Sequence, residues 1–286
     1  QIERIIFSKM QAFFWKDRSS SSTIYFQPPS IQSKTSGKLE LMIRVWRNHP
    51  AILNWLQDII RNHQDTSARV FAILKIADWK DDLKNLHLLR ACIQFDQSWD
   101  IRWAAVEALV RGWKNDLDTL PLLKTLAQSD ENGHVRQSVL RALVQHWKGD
   151  PDVLPILKTR AKTDKDKTVQ RAAIEALARD WKDDPDLLPF LKNRAQRDED
   201  DWIRWVAVRA LVQDWKDDRE TLPLLKVCIQ SDESWLVRQV AAWWLARNWE
   251  DDPDVLSLLK ERAETDDHVG VRRVALSALR RLERRP

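Results

Sequence analysis

The sequence predicts an all-α protein, a right-handed solenoid of antiparallel helix pairs. Three observations predict it. A tryptophan recurs every 34 residues, at Trp79, Trp113, Trp147, Trp181, Trp215 and Trp249, with no insertion. Each period holds two stretches with apolar residues at helical spacing, separated by a short polar turn. Five glycines, one tyrosine and 31% charged residues suit helices and count against a large sheet. Such a period means one supersecondary unit stacked on its neighbours, so binding belongs to a surface rather than to a single enclosed core.

In chain order, residues 1–18 form an amphipathic segment carrying Ile5, Ile6, Phe13, Phe14 and Trp15. It reads as the last helix of an upstream domain or one that docks on the array. The chain opens on Gln1 rather than methionine, which fits a segment of a longer polypeptide. Residues 19–38, rich in Ser, Thr, Gln and Pro, read as a flexible linker. Residues 39–78 are expected to be a degenerate capping repeat that keeps Arg69 but lacks an aspartate at the matching turn. Six full repeats then occupy 79–282, and 283–286 form a basic tail. Arg280, Arg281, Arg284 and Arg285 suit the negative end of a helix dipole.

The fourth unit, WKDDPDLLPFLKNRAQRDEDDWIRWVAVRALVQD from Trp181 to Asp214, shows how a repeat is built. Asp184 and Pro185 read as an N-cap and first-turn proline of helix A. Pro189 must then kink the helix or mark its effective start, as must Pro121, Pro155 and Pro223 in other units. Leu188, Leu191 and Ala195 fall on one face. Helix B carries Ile203, Val206, Ala207, Ala210 and Leu211, an i, i+3, i+4, i+7, i+8 stripe. Ala105, Ala173, Ala207, Ala241 and Ala275 share one position and Leu109, Leu143, Leu177, Leu211, Leu245 and Leu279 another. Small beside large lets neighbouring helices interdigitate. The tryptophan ladder, at the end of B, is expected to fill the wedge between units.

A tetratricopeptide pattern shares the 34-residue period but wants Gly and Tyr in its first helix and a closing Pro, where this chain has leucines and none. Asp96, Asp130, Asp164, Asp198, Asp232 and Asp266 mark every turn instead, and Arg102, Arg136, Arg204, Arg238 and Arg272 follow six residues later, each after Val or Ile. Gln170 interrupts the series. This pattern resembles the HEAT repeat, an armadillo-like module, across 79–282, and weakly across 46–78. The resemblance implies a ladder of Asp–Arg contacts between units and B helices lining a concave face.

Charge and chemistry narrow the function. Residues 1–45 carry seven Lys/Arg against three Asp/Glu, and the remainder forty of each, so the array is balanced overall. That balance argues against a nucleic-acid groove, which needs uncompensated cations. No apolar run approaches the roughly 20 residues of a membrane span, and no membrane partner is expected. Cys92 and Cys228 sit at one repeat position four repeats apart, roughly 40 Å at about 10 Å per stacked helix, too far for a disulfide. Two unpaired thiols fit a reducing cytoplasm. The sequence shows no phosphate loop, HExxH, Cys-x-x-Cys or Gly-x-Ser-x-Gly motif, and its six histidines share no ligand spacing. The Asp-Asp pairs after the tryptophans suit helix starts. No enzyme activity, catalytic residue, cofactor or metal is expected.

The residues that vary within the repeat point to a binding face. One helix B position reads Trp103, Gln137, Arg171, Trp205, Gln239 and Arg273; the next, four residues on, reads Glu107, Arg141, Glu175, Arg209, Trp243 and Ser277. Trp99, Trp202 and Trp235 lie one turn earlier. The candidate partner-binding set is Trp99, Trp103, Arg141, Arg171, Trp202, Trp205, Arg209, Trp235, Trp243 and Arg273, aromatics and arginines being enriched at interaction hot spots. The expected partner is another protein or an upstream domain of the same polypeptide. The wording WKDDPDLLPFLK resembles arrays C-terminal to NACHT-type signalling ATPases of bacteria, cyanobacteria in particular, which implies a scaffold or sensor role in switching or defence. The alternatives are single-stranded nucleic-acid binding in a Trp/Arg trough, as in HEAT-like DNA glycosylases, and a subunit like the HEAT-containing bilin lyases.

Overall fold

The computed structural model describes residues 50–283, where every regular element is a helix. The amphipathic segment 1–18, the linker 19–38, the first part of the capping repeat and the tail beyond Glu283 lie outside the described residues. The chain divides into two compact units, 1–115 and 116–286.

In the first unit α1 (Pro50–Asn62) pairs with α2 (Thr66–Ile76), and α3 (Leu83–Phe95) with α4 (Trp99–Trp113). Odd helices are the A helices and even ones the B helices. The degenerate repeat is a true helix pair: Ile52, Trp55, Leu56, Ile59 and Ile73 are all at most 2% exposed. Arg69 reaches the carboxylate of Asp96 in the next repeat. A buried amide pair, Gln57 Nε2 to Asn85 Oδ1 at 2.7 Å, joins α1 to α3.

The second unit continues the alternation. Its A helices are α5 (Thr119–Ser129), α7 (Val153–Thr163), α9 (Leu187–Arg197), α11 (Thr221–Ser231) and α13 (Pro253–Thr265). Its B helices are α6 (Gly133–Trp147), α8 (Lys167–Asp180), α10 (Asp201–Asp214), α12 (Trp235–Asn248) and α14 (Val269–Glu283). Consecutive B helices pack closely along the stack, whereas consecutive A helices touch sparingly. The unit therefore curves with its B layer inside.

The B stripe is as the sequence predicts: Ile203, Val206, Ala207, Ala210 and Leu211 are buried, as are Val208 and Val212, because α10 packs on its A helix and on both neighbouring B helices. Truncating a fully buried leucine such as Leu211 costs about 2–5 kcal/mol.

Helix A departs from expectation. Asp184 and Pro185 do not open α9; Asp186 is its N-cap residue. Asp184 instead sits in a turn, donating its N–H to the Trp181 carbonyl at 3.0 Å and accepting the Asp186 N–H at 3.0 Å. Pro189 is then the third helical residue, where no intrahelical donor is needed, and Pro121, Pro155 and Pro223 hold that same place. The buried face carries Leu187, Leu191 and Ala195, with Leu188 half-buried beside it. Only in the last unit does Asp252 cap a helix that opens on Pro253.

Of the ladder tryptophans, Trp113 is 7% exposed, and the other five are half-buried. Trp181, Trp215 and Trp249 are C-cap residues whose N–H groups bond the carbonyls of Leu177, Leu211 and Leu245.

Candidate functional site

Two polar ladders set the spacing of the face on which the candidate residues stand. In the first, Arg136, Arg204 and Arg238 split their donors. Nε and Nη2 of Arg204 grip Asp232 of the next repeat at 2.9 and 2.8 Å, while Nη1 bonds the carbonyls of Asp198 and Glu199 in its own turn. Arg136 grips Asp164 and Arg238 grips Asp266 in the same way. The aspartate works on both sides: its Oδ1 also caps the turn, accepting the N–H two residues on, from Ser234 for Asp232. These bidentate pairs are largely buried, with Arg136 and Asp164 side chains 2% and 1% exposed.

At Gln170 the ladder breaks. Its Nε2 keeps one turn contact, to the Asp164 carbonyl at 2.6 Å, while its buried Oε1 has no partner. Asp198, which Gln170 leaves ungripped, is held instead by Arg194 of its own A helix at 2.5 Å, with Lys167 at 3.6 Å.

The second ladder was not foreseen. Lys124 bonds Asp150 and Asp152 of the next repeat at 2.6 and 2.7 Å. Lys158, Lys192 and Lys226 repeat the contact with Asp184 and Asp186, with Asp218 and Glu220, and with Asp252 and Asp254. Hydrogen bonds that Lys124 donates to Asp150 and then to Asp152 raise the Lys124 pKa, and the bond accepted from Lys124 lowers that of Asp150. The carboxylates after Trp147, Trp181, Trp215 and Trp249 thus join units. A lysine 26 residues before the first of the two contacted carboxylates and 28 before the second was the available signal.

Neither ladder involves the variable B positions. In the second unit these bring together a cluster spanning α8 and α10. Trp202 and Trp205 meet edge to face at 5.8 Å; the Arg171 guanidinium lies 5.7 Å from the Trp202 ring and that of Arg209 4.8 Å from the Trp205 ring. Arg209 also bonds Glu175 at 3.2 Å. Farther along, Trp243 meets Trp244 at 4.5 Å and lies under Arg247 at 5.0 Å, and Trp235 stacks on His268 at 4.0 Å. Arg247, Trp244 and His268 were not singled out from sequence, although Arg247 stands one helical turn from Trp243, where a side-chain pair can form.

Exposure separates the candidates. Trp202, Trp235 and Trp243 are 46%, 38% and 44% exposed, whereas Trp205 is half-buried against its neighbours. Arg141 and Arg273 are exposed on α6 and α14. Arg141 borders a shallow depression with Lys148, Arg179 and Asp180, the last paired with both Lys148 and Arg179; Arg273 borders an open groove with Val269 and Leu276. Trp99 and Trp103 belong to the first unit, half-buried on α4. Among the described residues no cluster of three His, Cys, Asp or Glu side chains could hold a metal ion, and no helix is long and apolar enough to cross a membrane.

Stacked antiparallel helix pairs joined by inter-unit Asp–Arg pairs define an α-solenoid. A HEAT-repeat family model matches residues 110–178 and 180–280, more than half of the sequence, and the chain belongs to that family. Solved structures agree on the fold. The chain is similar to Escherichia coli YibA at 17% identity, covering 91% of this chain and all of that one, with a TM-score of 0.58. It is also similar to Kap121p bound to Nup53p, at 18% identity and a TM-score of 0.59, covering 98% of this chain and 32% of Kap121p. The chain thus spans about a third of Kap121p. No curated protein matches the sequence.

Proposed function

We propose that this HEAT-repeat array is a non-catalytic interaction scaffold that holds a partner protein on the B-helix face of residues 116–286. The observation that carries the reading is the exposure of Trp202, Trp235 and Trp243 on the inner layer of a solenoid whose stacking is already accounted for by two polar ladders. Large aromatics left in water cost hydration free energy unless a partner covers them, and they are the residues that dominate interface energetics. Kap121p, whose fold this chain shares, is seen bound to another protein, Nup53p, which is consistent with the scaffold reading.

The finer reading is that the array serves as the sensing C-terminal part of a NACHT-type signalling ATPase in the cytoplasm. Its support is the repeat wording and the two unpaired, buried cysteines. The experiment replaces Trp202 and Trp243 together by alanine and compares capture of partners from an extract of the source cells. Lost capture with a melting temperature lowered by only a few degrees is the expected result. Unchanged capture sinks the reading.

A further inference from the structure

The net balance of charge hides a separation. In residues 116–286 the carboxylates at the starts of α7, α9, α11 and α13 are held by Lys124, Lys158, Lys192 and Lys226, and the turn aspartates Asp164, Asp198, Asp232 and Asp266 by Arg136, Arg194, Arg204 and Arg238. The arginines of the B face are different. Arg171 and Arg247 lie over tryptophan rings, Arg141 and Arg273 are exposed, and none of the four meets a carboxylate among the described residues. Arg209 alone of the variable-position arginines has one, Glu175. The face therefore offers cations in excess, beside half-open aromatics.

We propose that the partner segment bound there is acidic and extended, with a carboxylate about every third residue and apolar side chains between. This rests on the interaction-face reading above and names its partner chemistry. Successive B helices stand about 10 Å apart, and an extended chain advances about 3.3–3.6 Å per residue. Three residues of such a segment therefore span one repeat. The planar guanidinium fork matches a carboxylate in two-point contact, and its placement over an indole limits the rotamer freedom lost on binding. A single-stranded nucleic acid fits less well. It needs free ring faces for stacking, and one face of Trp202, Trp235 and Trp243 is already taken by Arg171, His268 and Arg247.

The test is fluorescence anisotropy on the full chain with three fluorescein-labelled probes. They are a peptide of roughly fifteen residues with glutamate at every third position and leucine beside it, the same peptide with lysine for glutamate, and an oligothymidylate of similar length. The glutamate peptide should bind at least about tenfold tighter than either control, a gap of about 1.4 kcal/mol. Replacing Arg171, Arg247 and Arg273 by alanine should abolish that preference with little change in melting, and lysine at the same sites should restore only part of it. Equal or tighter binding of the oligothymidylate, or no preference for the glutamate peptide, overturns the proposal. If the lysine peptide binds and Trp202→Ala with Trp243→Ala abolishes that binding, the interaction face stands and only its acidic preference falls.

Discussion

Arg204→Gln copies into the fourth unit the residue that interrupts the ladder in the third, yet its consequence should differ. At Gln170 the deserted aspartate, Asp198, is rescued by Arg194 four residues upstream at 2.5 Å. The position equivalent to Arg194 in the next repeat is Cys228, a buried thiol that offers Asp232 no cation. Arg204→Gln therefore removes both charge-assisted bonds to Asp232, at 2.9 and 2.8 Å, and leaves a carboxylate only 9% exposed without its counter-ion. Breaking a buried pair from one side costs about 3–5 kcal/mol, roughly 10 °C in melting temperature for a unit of this size. Adding Cys228→Arg rebuilds the Arg194 arrangement and should recover about 1.5–3 kcal/mol, the worth of a hydrogen bond to a charged group. Urea unfolding of the wild type, both single variants and the double variant gives the coupling directly. A loss below about 1 kcal/mol in Arg204→Gln, or no recovery on adding Cys228→Arg, refutes the claim that the ladder pair holds these repeats together.

Two further outcomes follow from the same contacts. Because Asp150 has a lowered pKa, its contribution is fully present above the ordinary aspartate value of about 3.9 and is lost as pH falls through the depressed folded value. Lys124, raised, contributes fully below the ordinary lysine value of about 10.4 and loses that contribution as pH rises through the folded value. Lys124→Met should therefore flatten both the acid and the alkaline limbs of a stability–pH profile measured by thermal melting; limbs as steep as the wild type's contradict the second ladder. Burial, and then the charge of Asp96, pushes the Cys92 thiol up to about 11, and burial, and then Asp232, pushes Cys228 to about 12. Both should react with a thiol-selective disulfide reagent at pH 8 (roughly where a free thiol begins to ionise) far more slowly in the folded chain than in urea, and equal rates would refute their burial.

Much of this was legible because a repeat states its rules several times over. The turn aspartates and helix B arginines stand out by recurrence, and the structure joins them as the sequence suggested, down to the break at Gln170. The start of helix A was less legible. Asp-Pro is a strong local cap signal, but here the tryptophan carbonyl and the Asp184 side chain close an extra turn first, which puts Pro189 in the first turn; the last unit, with Ser257 at that place, opens on Pro253. The lysine ladder is hard to read from sequence because its partners lie one repeat apart and each residue type is ordinary on a helix surface. At the candidate face, sequence could nominate Trp202 and Trp205 alike. Only packing shows that Trp205 turns inward against Trp202 and Arg209 while Trp202 stays 46% exposed.

We propose two kinds of tryptophan in this chain, one that holds repeats and one that a partner covers. Equilibrium unfolding of Trp113→Ala beside Trp243→Ala tests it most directly. Trp113, 7% exposed, should cost about 3–5 kcal/mol, whereas Trp243, 44% exposed, should cost less than about 2 kcal/mol. Equal losses for the two variants would make Trp243 a packing residue and contradict the assignment of the B face to binding.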